Sequence, residues 1–224
     1  MKSLAALMIL GFTVLWAGDK PGAPAKHAES AMTAEKALAR LMQGNRRFVA
    51  HKETHPDASP SRLRALASGG QHPFAVILGC ADSRVPPELL FDQGFGDLFV
   101  IRDAGNVVDD EVLGSIEYAV THLGVRLVMV LGHEKCGAIA AAIEGGEAAG
   151  HIRTVVESVQ PAIEAVRREP GDLIHNCVIA NARRVASQIR NSEPVLRPLV
   201  EAGKVKVVAA DYLLDSVKVV LLKD

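Results

Sequence analysis

The feature that most constrains this chain is a series of short apolar runs set between longer stretches of helical periodicity. Residues 74–79, 98–101 and 126–131 are rich in Val, Leu, Ile and Phe, with little of the polar alternation that marks a half-exposed strand, and 204–209 reads as a further strand. Runs of this length and character suit strands covered on both faces, the normal state of strands in a parallel sheet. The stretches between them repeat their apolar residues at helical spacing. In 111–123 the inward positions are Val112, Ile116, Ala119, Val120 and Leu123, and Gly124 gives the stop. Further helices are expected over 137–143, closed by Gly145-Gly146, and over 153–168, 173–191 and 195–202. Residues 217–222 read as a last strand. The expected architecture is α/β: a mostly parallel β-sheet flanked by α-helices.

Ahead of this alternation, a helical arm is expected to start near Thr33, with Leu38, Leu41, Met42 and Val49 on one face. A Pro-containing loop over 51–60 and a short helix over 62–68 follow. The chain has 224 residues with 49% apolar side chains, which suits one domain with a sizeable core and leaves no need for a second. No internal repeat is visible. The domain is expected over 31–224.

The first residues carry a different pattern. Lys2 is followed by an uncharged apolar stretch that ends at Asp19 and Lys20. It is short for a membrane span and fits a signal peptide over 1–17, with an uncleaved N-terminal anchor as the alternative. Residues 18–30, with Pro21, Pro24, Gly18 and Gly22, read as a flexible linker. Both readings place the domain outside the cytoplasm, in the periplasm or an equivalent exported space. Beyond that segment nothing calls for a membrane. A formal net charge of −1 and 4% aromatics also argue against nucleic acid as a partner.

Two clusters of reactive residues each follow an expected strand. Cys80-Ala81-Asp82-Ser83-Arg84 comes directly after 74–79, and His133-Glu134-Lys135-Cys136-Gly137 soon after 126–131. Sites in parallel α/β sheets gather at the carboxyl ends of strands, so these distant segments are expected to share one crevice. Thiolate, imidazole and carboxylate are the donor types that hold Zn²⁺. Taken singly, each residue reads as an ordinary core or ion-pair residue; taken together they point to a metal site. Asp82 and Arg84 lie two apart, so in extended backbone they point the same way and can form a bidentate pair. Three cysteines are a poor disulfide framework. Cys177, inside a helical stretch, reads as a small core residue.

Cys80-x-Asp82-Ser83-Arg84 followed by His133-x-x-Cys136 resembles the zinc signature of β-class carbonic anhydrases. The similarity continues through Arg84-Val85-Pro86, 96–102, Ala104-Gly105-Asn106, 115–120 and Leu131-Gly132-His133, and spans about 33–222. The resemblance implies a carbonic-anhydrase fold and reversible hydration of CO2 to bicarbonate. It implies Cys80, His133 and Cys136 as fixed Zn²⁺ ligands, and Asp82 as a switchable ligand that either binds zinc or is held by Arg84. It implies Gln71 as a hydrogen-bond partner of bicarbonate and Phe99 and Ala104 as the lining of a small apolar CO2 pocket shared across a dimer. Gly137 would offer a backbone N–H. A homodimer or dimer of dimers is expected. Ile77 stands where some members carry a Trp of a non-catalytic bicarbonate site, although Arg102 of that site is present, so regulation through it is not expected.

Three rival readings fit parts of this pattern. A zinc hydrolase acting on CS2 or COS would use the same ligands. A non-catalytic zinc-binding protein would need four ligands but no Asp82–Arg84 switch. A thiol redox protein would want a close Cys-x-x-Cys pair, which is lacking. None of the eight His is singled out as a proton shuttle.

Overall fold

The computed structural model describes residues 32–146 and 148–223. The expected signal peptide (1–17) and linker (18–30) lie outside the described residues.

The first element among the described residues is α1 (Ala34–Val49), whose N-cap Thr33 accepts a hydrogen bond from the Lys36 N–H. Then come α2 (Pro60–Gly69), β1 (Ala75–Cys80), α3 (Pro87–Leu90), β2 (Leu98–Asp103), α4 (Asp110–Thr121) and β3 (Leu127–His133). The second half holds α5 (Gly137–Glu144), α6 (Ile152–Val166), α7 (Leu173–Arg190), α8 (Leu196–Glu201), β4 (Lys206–Leu213) and β5 (Lys218–Leu221). The sheet order is β2-β1-β3-β4-β5. The first three pairings are parallel and β4–β5 is antiparallel. Only residues 214–217 separate β4 from β5. That is too short for a parallel crossover, which needs a dozen or more residues, so the last strand must return as a hairpin.

Every residue of β1 and β3 is buried, as their uninterrupted apolar character requires. On one face, Val76, Leu78, Val128, Val130, Val207 and Ala209 pack with Ile116 and Ala119 of α4 and with Ala182, Val185 and Ile189 of α7. On the other, Ile77, Leu127, Met129 and Leu131 pack with Ala37 and Leu41 of α1 and with Leu90 and Phe91. β2 departs from the sequence expectation. It is an edge strand, and most of its positions are half-exposed in a single chain.

Two contacts lock α1 onto the sheet. Gly44 approaches so closely that a Cβ there would stand 1.7 Å from the Phe91 carbonyl oxygen. Beside it, buried Asn45 donates to the carbonyls of Leu90 and Val217 and accepts from the Val219 N–H, at 2.9–3.1 Å. One amide thus ties α1 to the end of α3 and to the β4–β5 hairpin.

Candidate metal centre

The parallel topology delivers both motifs to one end of the sheet. Cys80 is the last residue of β1 and His133 the last of β3, and these strands are neighbours. Lys135 takes a left-handed φ of 53°, which turns the chain from β3 into α5, and Cys136 stands at the N-cap of that helix. The two sulfurs and a ring nitrogen of His133 lie within 4.8 Å of one another, and all three residues are buried. It is the one such group of three found among the described residues.

Two of the three donors are oriented by a backbone group. His133 Nδ1 lies 2.8 Å from the Glu134 carbonyl oxygen, so the N–H sits there and Nε2 is left with its lone pair. Nε2 is fully buried and has no hydrogen-bond partner. The Gly105 N–H donates to Cys80 Sγ at 3.3 Å.

The electrostatics are those of a site short of positive charge. The hydrogen bond from Cys136 outweighs burial, with help from the nearby His133 ring and the Gly105 N–H, and holds the Cys80 thiol well below the ordinary range. That same bond, together with burial, pushes Cys136 far up. Burial would lower the His133 pKa, but the Cys80 thiolate opposes it and the net shift is upward. A dication would relieve all three, by taking the proton's place between the sulfurs and filling the orphaned Nε2. The residues present therefore fit a divalent metal with thiolate and imidazole preference.

Asp82 lies at the edge of this cluster. Its Oδ1 accepts from the Arg84 N–H and Nε, both at 2.9 Å, and its Oδ2 accepts from Arg84 Nη2 at 2.6 Å. The expected bidentate pair is thus present, but not across extended backbone: Ser83 and Arg84 lie in a turn closed by the Val85 N–H on the Asp82 carbonyl at 3.0 Å, and the Arg84 N–H reinforces the pair. Oδ2 also stands 4.0 Å from His133 Nε2. The Arg84 hydrogen bond outweighs partial burial and holds the Asp82 carboxyl far below the usual carboxylate range. Arg84 Nη2 reaches the Lys135 carbonyl at 3.3 Å, which links the two motifs directly.

The sequence-based site residues divide into two groups. Ala104 follows β2 and Gly137 opens α5, so both stand at the metal end, exposed. Gln71 is exposed and precedes β1, at the opposite end of a strand spanning about 17 Å. Phe99 is the second residue of β2, paired with Val76, half-buried and 6.3 Å from the ring of exposed Tyr118. Within one chain, Gln71 and Phe99 are therefore not brought to the cluster. Arg102 donates to the carbonyls of Cys80 and Asp82, at 3.0 and 2.5 Å, and so braces the backbone of the first motif. Cys177 is buried in an apolar cluster, as expected.

Sequence reasoning missed the turn that supports Cys80. Asp103 Oδ1 accepts from the Val107 N–H at 2.8 Å, and Asp103 Oδ2 is buried without a partner. Burial raises the Asp103 carboxyl to about 7. This turn presents Gly105, whose carbonyl is bound in turn by Asn181 of α7. Ala104-Gly105-Asn106 was visible as a motif, but its contact with sulfur had no local signal.

A buried thiol–imidazole–thiol triad at the carboxyl ends of parallel strands, with a carboxylate held beside it by arginine, defines a metalloenzyme-type site on an α/β fold. Comparison with known proteins gives the family. A sequence profile of the family "Carbonic anhydrase" matches residues 75–219. Carbonic anhydrase 2 of Mycobacterium tuberculosis is 42% identical over 185 residues, covering 81% of this chain and 89% of that protein. Among solved structures, the β-carbonic anhydrase of Coccomyxa, in complex with acetazolamide, is 26% identical. It has a TM-score of 0.66 and covers 83% of this chain and 86% of that one. A β-carbonic anhydrase of Aspergillus fumigatus is 28% identical, with a TM-score of 0.64 and coverage of 84% and 90%. The chain belongs to the carbonic anhydrase family, a family of enzymes, and its fold is that of the β class.

Proposed function

We propose that this protein catalyses the reversible hydration of CO2 to bicarbonate and a proton, with Zn²⁺ held by Cys80, His133 and Cys136. The observation that carries the reading is the orphaned His133 Nε2 facing two thiols, beside an Asp82 that Arg84 holds by both oxygens. A purely structural site would use four fixed ligands and would leave Arg84 without purpose. Membership of the carbonic anhydrase family supports the same substrate.

Zinc bound there supplies Lewis-acid activation of water near neutral pH. The chain's own residues do the rest. Arg84 binds both oxygens of Asp82 and so would hold the carboxylate away from a bound metal. Held ionised, Asp82 keeps a lone pair on Oδ2 with which to accept a hydrogen bond from the reacting water and aim its attack. Because its pKa is depressed, Asp82 orients that proton without keeping it, and the proton leaves to solvent. Ala104 and Gly137 border the mouth of the site. Phe99 as apolar wall and Gln71 as hydrogen-bond partner of bicarbonate would come from a second copy of the chain, since their own chain places them at the other end of β1. The protein is accordingly a homodimer or a dimer of dimers. Residues 1–17, read as a signal peptide, would deliver it to the periplasm or an equivalent exported space.

The test is stopped-flow CO2 hydration by purified, zinc-loaded protein, with CS2 and COS run in parallel. The expected result is hydration well above buffer and little turnover of the two sulfur analogues. Zinc-loaded protein that leaves CO2 hydration at the buffer rate would refute the reading.

A further inference from the structure

Asn181 lies on α7, remote in sequence from both motifs, and is fully buried. Its side-chain amide donates to the Gly105 carbonyl oxygen at 2.8 Å, while the Gly105 N–H donates to Cys80 Sγ at 3.3 Å. A continuous path of two hydrogen bonds therefore runs from a core helix, through a single residue, to a sulfur of the metal centre. Burying an amide in an apolar setting is costly unless it is paired. Here Oδ1 has no partner, so the bond to Gly105 is what the side chain contributes.

The Gly105 residue has little freedom to turn elsewhere. Its φ of +83° is one that L side chains rarely adopt, and a Cβ would stand 3.3 Å from Ala138 Cβ and 3.4 Å from Val159 Cγ1. Helices α5 and α6 thus confine it by contact, and α7 confines it by a directed bond. The same α7 packs on β3 beside the other ligand, since a Cβ on Gly132 would lie 3.1 Å from Val178 Cγ1. An N–H aimed at a thiolate fixes its lone-pair direction and draws off part of its charge, the usual work of outer groups around a metal.

We propose that Asn181 is a positioning residue for the metal centre, holding the Gly105 peptide so that its N–H meets the Cys80 sulfur and sets how that thiolate donates to the metal. The inference rests on the reading of Cys80, His133 and Cys136 as metal ligands. Two readouts test it apart from activity: zinc affinity by chelator competition, and the thiolate-to-metal charge-transfer band of the Co²⁺-substituted protein. Asn181→Leu keeps the bulk and removes the donor; Asn181→Ala serves where leucine does not fit. Both should weaken zinc binding by roughly 10- to 100-fold. Both should also move the charge-transfer band to longer wavelength, because a thiolate that loses an N–H donor is more electron-rich. Ile189→Ala, about two turns further along the same helix and in the apolar cluster with Val185 and Leu196, should lower stability and leave affinity and band unchanged. Wild-type affinity and an unmoved band in the Asn181 variants would overturn the proposal, as would equal changes in Ile189→Ala. A wild-type protein that shows no thiolate–cobalt band would instead overturn the ligand assignment itself.

Discussion

Arg84 is where one side chain most clearly separates alternative accounts of the site. It binds both oxygens of Asp82, and its guanidinium also reaches the Lys135 carbonyl. Without it nothing competes with the metal for the carboxylate, so Asp82 should occupy the position that water needs. Arg84→Ala is expected to retain zinc and lose nearly all CO2 hydration, and Arg84→Lys should restore little, since an ammonium cannot form the planar fork. Stopped-flow rates paired with zinc content decide it; a zinc-replete Arg84→Ala with near wild-type turnover would remove the switch from the mechanism. The Asp82–Arg84 pair was legible in the sequence because the two residues lie two apart just after a strand, and strand ends converge in a parallel sheet. Asn181 was not legible. Its bond to Gly105 spans 76 positions and exists only once α7 has docked.

Among the elements, one buried carboxylate adds to the contacts that join α1, the loop after it and the end of α3. Asp92 Oδ2 accepts from Arg47 Nε at 2.5 Å and from the Thr54 N–H and hydroxyl at 3.0 and 3.1 Å, while Oδ1 accepts from the His55 N–H at 2.9 Å. Burial would raise its pKa, but the Thr54 N–H, Arg47 and the His55 N–H outweigh it and bring it to about 2. An unfolded Asp titrates near ~3.9, so the folded state holds the proton less tightly. The stability contributed is therefore fully present above pH ~5 and is lost as pH falls through the folded value. Asp92→Asn should cost ~2 kcal/mol at pH 7, less at pH 3, as read from urea midpoints at both pH values. An equal loss at the two would show that the charge is not what matters.

Helices and strands were mostly legible because each carries its own periodicity and stop. The exceptions are instructive. α3 is four residues long and follows Pro86, too short to show a repeat. β2 reads as fully buried from its Leu98-Phe99-Val100-Ile101 run, yet it forms the edge of the sheet. An apolar strand left half-exposed at an edge is a surface that calls for cover.

For the whole molecule, that uncovered edge and the split of the site residues point the same way. Phe99 is half-buried on β2, Tyr118 is 46% exposed beside it, and Gln71 stands at the amino end of β1. A second copy would cover the apolar rings and return Gln71 and Phe99 to a metal centre. Light scattering at working concentration should give a dimer or tetramer, and dilution to monomer should abolish hydration. A monomer with full activity would contradict the shared pocket. The overall α/β architecture was legible, since alternating strand and helix patterns leave few alternatives. The mostly parallel sheet carries one antiparallel strand, which follows from the four-residue connection before β5.

The expected activity depends on zinc being held by Cys80, His133 and Cys136, and X-ray absorption at the zinc edge with elemental analysis decides whether it is. About one zinc per chain is expected, with two sulfurs at ~2.3 Å and imidazole nitrogen at ~2.0 Å, and loss of the metal in Cys136→Ser. A metal-replete preparation holding less than ~0.2 zinc per chain, or a first shell without sulfur, would contradict it.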